Sequence, residues 1–147
     1  MRELINTGFL YEYMQENGVK QIDLAKKMSH SRMGVALWFQ KDNFTLKKCL
    51  DIVNALECVL VIECSYNWDK LKASTLIRLD GAEAGVVLRS IIHGWGLSKI
   101  QFKSISKASN QLLDSWLSND NIAIKRINEI SEKNKLPLKF SLEKKTH

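Results

Sequence analysis

The sequence predicts a mostly α fold, two tandem helical units with a small β component of short strands after each unit. Three observations carry that prediction. Apolar residues recur at three- and four-residue spacing along most of the chain, the period of a helix with one buried face. One proline and seven glycines in 147 residues are too few to punctuate an all-β fold. Sliding the sequence along itself by 78 residues also aligns its halves without a gap. Leu10 falls on Leu88, Gly18 on Gly96, Ile22 on Ile100, Ser31 on Ser109 and Trp38 on Trp116. Asp42-Asn43 falls on Asp120-Asn121, Lys47 on Lys125, Ile52 on Ile130 and Leu60 on Leu138. Each unit spans roughly 60 residues, near the lower limit for unaided folding. The expected organisation is a first unit at 1–64, a connector at 65–80 and a second, basic unit at 81–147.

The elements follow in order. Leu10, Tyr13 and Met14 lie on one helical face, and Asn17-Gly18 stops that helix with a residue tolerant of positive φ. A second helix runs from Gln21 to Met28 with Leu24, Ala25 and Met28 on one face. Ser29-His30-Ser31 makes a turn, and Ser31 caps a third helix through Phe39. Lys41-Asp42-Asn43 is loop, and Thr45 caps a helix carrying Leu46, Cys49, Leu50, Val53 and Leu56. Cys58–Ile62 is a short apolar strand. Leu136, Leu138, Phe140 and Leu142 alternate with polar residues or Pro137, a period of two, and the proline puts that strand at an edge or at its own start. Thr75–Leu79 is a third strand candidate, so a small sheet is expected between the helical units. In the second unit Lys103 stands where Ala25 packs and Ser106 where Met28 packs. Its second helix is therefore expected to bury another face, through Phe102 and Ile105.

Charge and composition narrow the function. The net charge is +6, with the first 64 residues balanced and the excess in the second half, which points to a polyanionic partner. No apolar run approaches the ~18 residues of a spanning helix, and Met1–Thr7 lacks a signal core, so neither a membrane nor secretion is expected. Cys49, Cys58 and Cys64 form no CxxC pair and read as reduced core thiols of a cytoplasmic protein. His30, His93 and His147 are too scattered for a zinc site. There is no nucleophile–base pairing, and Gly81-x-x-x-Gly85 does not follow the phosphate-loop pattern. No enzyme, cofactor, metal or small-molecule substrate is expected.

Two short helices across a tight turn have helix-turn-helix geometry. Gly18-Val19-Lys20-Gln21-Ile22-Asp23-Leu24-Ala25-Lys26-Lys27-Met28, then Ser31-Arg32 and Val35-x-x-Trp38, resembles the lambda-repressor-like, Cro-type helix-turn-helix family. The likeness extends through Thr45–Leu56 and, by the 78-residue shift, to the second unit; the family's usual turn glycine is Ser29 here. The resemblance implies a third helix in the DNA major groove, with Gln21 on a phosphate beside Lys20. It implies Ser31, Arg32, Met33, Ala36 and Leu37 facing bases, and Val35 and Trp38 buried. The Arg32 fork matches guanine O6 and N7, whereas Met33, Ala36 and Leu37 suit only thymine methyls.

In the second unit Ser109, Asn110, Gln111, Asp114 and Ser115 take the exposed positions. The Asn110 and Gln111 amides suit adenine, and Asp114 suits cytosine N4. Lys99 replaces the phosphate-binding glutamine, and Lys103, Lys107, Lys125 and Arg126 flank the groove. The expected function is sequence-specific binding of double-stranded DNA by a transcriptional regulator, a repressor-like pseudo-dimer reading two unlike half-sites about one turn (~34 Å) apart. The alternative is an antitoxin-like interaction module, with a protein partner docked on the apolar first-unit helix. A homodimer through the strand edges Val59–Glu63 or Leu138–Leu142 is a further candidate.

Overall fold

The computed structural model describes residues 3–68, 71–81, 83 and 85–145. Met1, Arg2 and His147, which entered the leader and zinc arguments, lie outside the described residues. The chain runs α1 (Gly8–Glu16), α2 (Gln21–Met28), α3 (Arg32–Gln40), α4 (Leu46–Ala55), β1 (Cys58–Trp68) and β2 (Leu71–Leu79). It continues through α5 (Val86–Gly94), α6 (Lys99–Ser106), α7 (Asn110–Asn119), α8 (Ile124–Lys133) and β3 (Leu138–Lys144). The fold is mostly helical with one small antiparallel sheet, as the sequence predicts. Each of the first four helices has a counterpart starting 78 residues later.

The repeat is written most clearly in the turns. Ser29 and Lys107, Asp42 and Asp120, and Glu57 and Lys135 pair under the same shift, and all six take left-handed φ between 53° and 57°. Side chains at these positions cost free energy that glycine would not. Two of the three pairs differ in residue type, so the helix exits repeat even where the side chains do not. Caps repeat as well: Ser31 Oγ accepts the Gly34 N–H at 3.0 Å, and Ser109 Oγ accepts the Leu112 N–H at 3.1 Å. Thr45 caps α4 through the Lys48 N–H.

The matched Asp42 and Asp120 also have a structural reason. The Asp42 carboxylate accepts backbone N–H groups of Ile5, Asn6 and Thr7 and the Thr7 hydroxyl, at 2.8–3.1 Å. Asp120, fully buried, accepts those of Gly85, Val87 and Leu88 at 2.7–3.1 Å. Each carboxylate thus satisfies the open donors at the start of the first helix of its unit, from about 35 residues away. Burial pushes the Asp42 carboxyl up, but the donors from Thr7, Asn6 and Ile5 outweigh it and hold its pKa below the ordinary 3.8. A carboxylate lowered on folding stabilises above its unfolded pKa and loses that contribution as pH falls through the folded value. The stability gap between the parent chain and Asp42→Asn is therefore expected to be full at pH 7 and to narrow below about pH 4. Urea unfolding at several pH values measures it; a gap independent of pH would refute the assignment.

The sheet order is β2-β1-β3, all antiparallel. In the β1–β3 register Ile62 faces Phe140, residues that are equivalent under the repeat. Thr45 bridges Ala123, a second self-equivalent pair. Around it Leu46 N–H donates to the Ile122 carbonyl at 2.9 Å and Ile124 N–H to the Phe44 carbonyl at 2.7 Å, two reciprocal bonds. Reciprocity of this kind defines an approximate two-fold axis relating the units inside one chain. The packing crosses over in the same sense: α1 lies on β3 and α5 on β1. Phe9 stacks on Phe140 with ring centroids 5.4 Å apart. One continuous core results, drawing Leu10, Val35, Leu46 and Ile62 together with Leu88, Leu113, Ile124 and Phe140.

Several expectations are corrected. A boundary after residue 64 cuts through β1, and the connector supplies the rest of that strand and β2. Because β1 is central, the Val59–Glu63 edge is occupied by β3 of the same chain and is not free for a second copy. The outer edge of β3, with Leu138–Leu142, does lack a strand partner among the described residues, as does the outer edge of β2. Helix α6 buries Phe102 as expected and packs Ile105 part-buried against the core, but it also buries Ser106, which was not expected inside. The Ser106 hydroxyl is satisfied by the Lys103 carbonyl at 3.3 Å. Val35 is buried, but Trp38 is only partly so, with His30 edge-on at 5.3 Å and the Lys48 ammonium 5.1 Å above its ring. Phe39 takes the core position beside Tyr11.

Candidate nucleic-acid interface

The surface of interest is built by α2–α3 and its two-fold counterpart α6–α7, each pair joined by a short left-handed turn. On the first pair Ser31, Arg32 and Met33 are exposed, Met33 at 76%, and Leu37 one turn on is 41% exposed. Ala36 is half-buried between them. On the second pair Ser109, Asn110, Gln111 and Asp114 are exposed, and Ser115 is half-buried with Asn121 donating to its hydroxyl at 2.9 Å. The structure thus brings the candidate base-contacting residues of each unit onto the outer face of one helix. Leu112, 44% exposed on that face, was missed because Leu113 beside it fits the buried position.

The phosphate candidates divide. Lys20 is exposed and Gln21 half-buried at the start of α2. Lys99 opens α6 and pairs with Asp114 at 3.1 Å, both side chains more than 60% exposed. That bridge contributes little stability, but it covers the negative charge that Asp114 would turn toward a phosphate. Lys107 and Lys125 are exposed, and Lys103 is half-buried. The Lys125 N–H donates to Asn43 Oδ1 at 3.1 Å, placing this lysine at the seam between units. Arg126 donates to the Ser106 carbonyl at 2.8 Å and lies 3.9 Å from Glu129, so its guanidinium closes the end of α6.

Two equivalent hollows lie beside these helix starts. The first, about 440 Å³, is bordered by Tyr11, Gln15, Gln21 and Arg32; the second, about 250 Å³, by Arg89, His93, Leu97 and Lys99. Tyr11 and Arg89, Gln15 and His93, and Gln21 and Lys99 are repeat equivalents, so the second hollow carries cationic or titratable groups where the first is neutral.

Averaging charge over the first unit hides a strong local signal. Between residues 20 and 48 stand seven basic side chains (Lys20, Lys26, Lys27, Arg32, Lys41, Lys47 and Lys48) and two acidic ones, Asp23 and Asp42. Both carboxylates accept backbone N–H groups, Asp23 that of Lys20 at 3.0 Å and Asp42 those before α1. The balancing acids lie elsewhere in the unit. A window from the start of α2 into α4, rather than over the whole unit, exposes this concentration of charge from sequence alone.

Among the described residues no helix is long and apolar enough to cross a membrane, and no group of three His, Cys, Asp or Glu side chains converges as a metal site. Cys49, Cys58 and Cys64 are buried free thiols, and burial pushes the Cys64 thiol up to about 12. In comparisons with family models, curated proteins and solved structures, nothing matches this chain.

Proposed function

We propose that this chain is a cytosolic, sequence-specific DNA-binding protein, a transcriptional regulator that reads two unlike half-sites as a single-chain pseudo-dimer. The observation that carries the reading is the internal two-fold relation. Rotation about a two-fold axis leaves height along that axis unchanged, so α3 and α7 stand level on either side of it. Duplex DNA has dyads across its own axis, and a two-fold protein can set equivalent helices into successive turns of one groove. The local concentration of basic side chains around α3, and Lys99, Lys107 and Lys125 around α7, support a polyanion as the partner.

Selection from a random duplex pool by the full chain, at two salt concentrations, tests the proposal. The expected result is an enriched motif of two different half-sites. Sequence-blind retention that vanishes with salt would reduce the chain to a polyanion binder, and no retention would refute DNA binding. Lys125→Ala is expected to lower the slope of log affinity against log salt by about 0.9 while leaving the motif unchanged. Lysine 125 serves better than Arg126 here, because Arg126→Ala would also open the end of α6. A changed motif would show that Lys125 does not face a phosphate.

A further inference from the structure

We infer that the half-site under α3 is recognised through pyrimidine C5-methyl groups, which Met33 and Leu37 cover while Arg32 takes a neighbouring guanine. The inference rests on the DNA-binding reading above and specifies what one half of the site must contain.

The first support is that the apolar patch is not demanded by the fold. At the two-fold equivalents of Met33 and Leu37 the second unit carries Gln111 and Ser115, and α7 still forms and buries Leu113 and Leu117 as α3 buries Val35 and Phe39. Met33 and Leu37 lie one turn apart on the same face, at 76% and 41% exposure, and belong to no core cluster. Surface methionine and leucine are ordinary singly, but here they sit together on the one helix face where the other unit offers amide and hydroxyl groups.

Charge then selects the occupant. In sequence the patch lies within the basic set of residues 20–48, whose two carboxylates are committed to backbone donors, and Lys20 and Arg32 border one hollow beside α3. Arg32, at the start of the same helix, is exposed and makes no ion pair among the described residues. An apolar protein surface does not complement these cations. A duplex does, because its phosphates line a groove whose floor displays thymine methyls beside guanine N7 and O6. Gly34 adds a geometric point: it presents no side chain where α7 carries Leu112, so the first turn of α3 can approach a groove floor more closely. The two halves therefore divide the chemistry. Helix α3 offers two apolar side chains beside Arg32, whereas α7 offers chiefly hydrogen-bonding groups, with Leu112 the one large apolar side chain exposed among its described residues.

The test uses the full chain and the duplex it selects. The α3 half-site is identified by repeating the selection with Met33→Gln/Leu37→Ser, which installs the second unit's residues at two exposed positions. Thymines in each half-site of the parent's duplex are then replaced separately by deoxyuridine, which keeps the hydrogen bonds and removes the methyl. In the α3 half-site the parent chain is expected to lose about fourfold in affinity per contacted methyl. The same replacement under α7 should cost less, since Leu112 is the one large apolar side chain exposed on that face among the described residues, and the double variant should lose the deoxyuridine penalty under α3. If a two-part motif is enriched but deoxyuridine has no effect under α3, or the variant selects an unchanged motif, methyl recognition is refuted while DNA binding stands. If the double variant binds DNA unchanged but no longer captures a protein, the patch belongs to that protein and the inference falls. Failure of the parent to select any motif would remove both.

Discussion

Alanine at position 120 is expected to destabilise the protein by about 3 to 5 kcal/mol, since it strands three buried N–H donors at once and leaves no acceptor to replace the charge. Those donors, from Gly85, Val87 and Leu88, open the second unit's first helix, and they are reached by a carboxylate that is fully buried. Alanine would also have to hold the left-handed backbone of Asp120, φ 54°, which carries a further cost. Asp42→Ala removes the equivalent acceptor at a position that solvent partly reaches, so the orphaned donors of Ile5 and Asn6 can turn to water. Its expected cost is smaller, about 1 to 2 kcal/mol. Urea denaturation of the two variants provides the comparison. Equal costs would mean that Asp120 is not the dry anchor its geometry implies.

The second large effect concerns spacing. Two half-sites held by one chain act at high effective concentration, so losing simultaneous engagement costs about 10² to 10⁴ in affinity. Inserting about five base pairs between the half-sites of the selected duplex turns one to the opposite face and should incur that full loss. Ten inserted base pairs restore the face but lengthen the separation by about 34 Å. A flexible tandem would recover there. This chain should not, because α1 packs on β3, α5 packs on β1 and Phe9 stacks on Phe140, all across the two units. Gel-shift or anisotropy titrations with the three duplexes check it, and recovery at ten base pairs would contradict a rigid pair.

Much of the local structure was legible because its causes are local. Ser31 and Thr45 cap the helices the pattern assigned them, and Gln21–Met28 forms one helix as its apolar spacing requires. The sheet's membership was legible too, from the change of period at Cys58 and Leu136. What escaped are relations between residues far apart. Nothing near Ser106 announces that the Lys103 carbonyl and the Arg126 contact at the helix end make its burial tolerable. Nothing near Val59 says that both edges of β1 are used, since β3 arrives some eighty residues later. Trp38 fits a core position by period, yet Phe39 fills the space and leaves the indole to His30 and Lys48. On the candidate site, residue types and faces could be read from spacing. The basic concentration around α3 was also in the sequence, but only a count over 20–48 shows it, because the acids elsewhere in the unit cancel it in the whole-unit sum.

The pairing of Ile62 with Phe140 has a consequence for how this molecule can vary. In an assembly of identical subunits, a residue on the dyad meets its own copy, so a bulky choice must fit against the same bulk and a small one against the same gap. Every substitution is made twice. Here the dyad carries an isoleucine against a phenylalanine and a threonine against an alanine, complementary choices that identical subunits cannot make. Fusion into one polypeptide has released the centre of the molecule from self-complementarity, and with it the two outer helices, each free to change while its twin stays as it was.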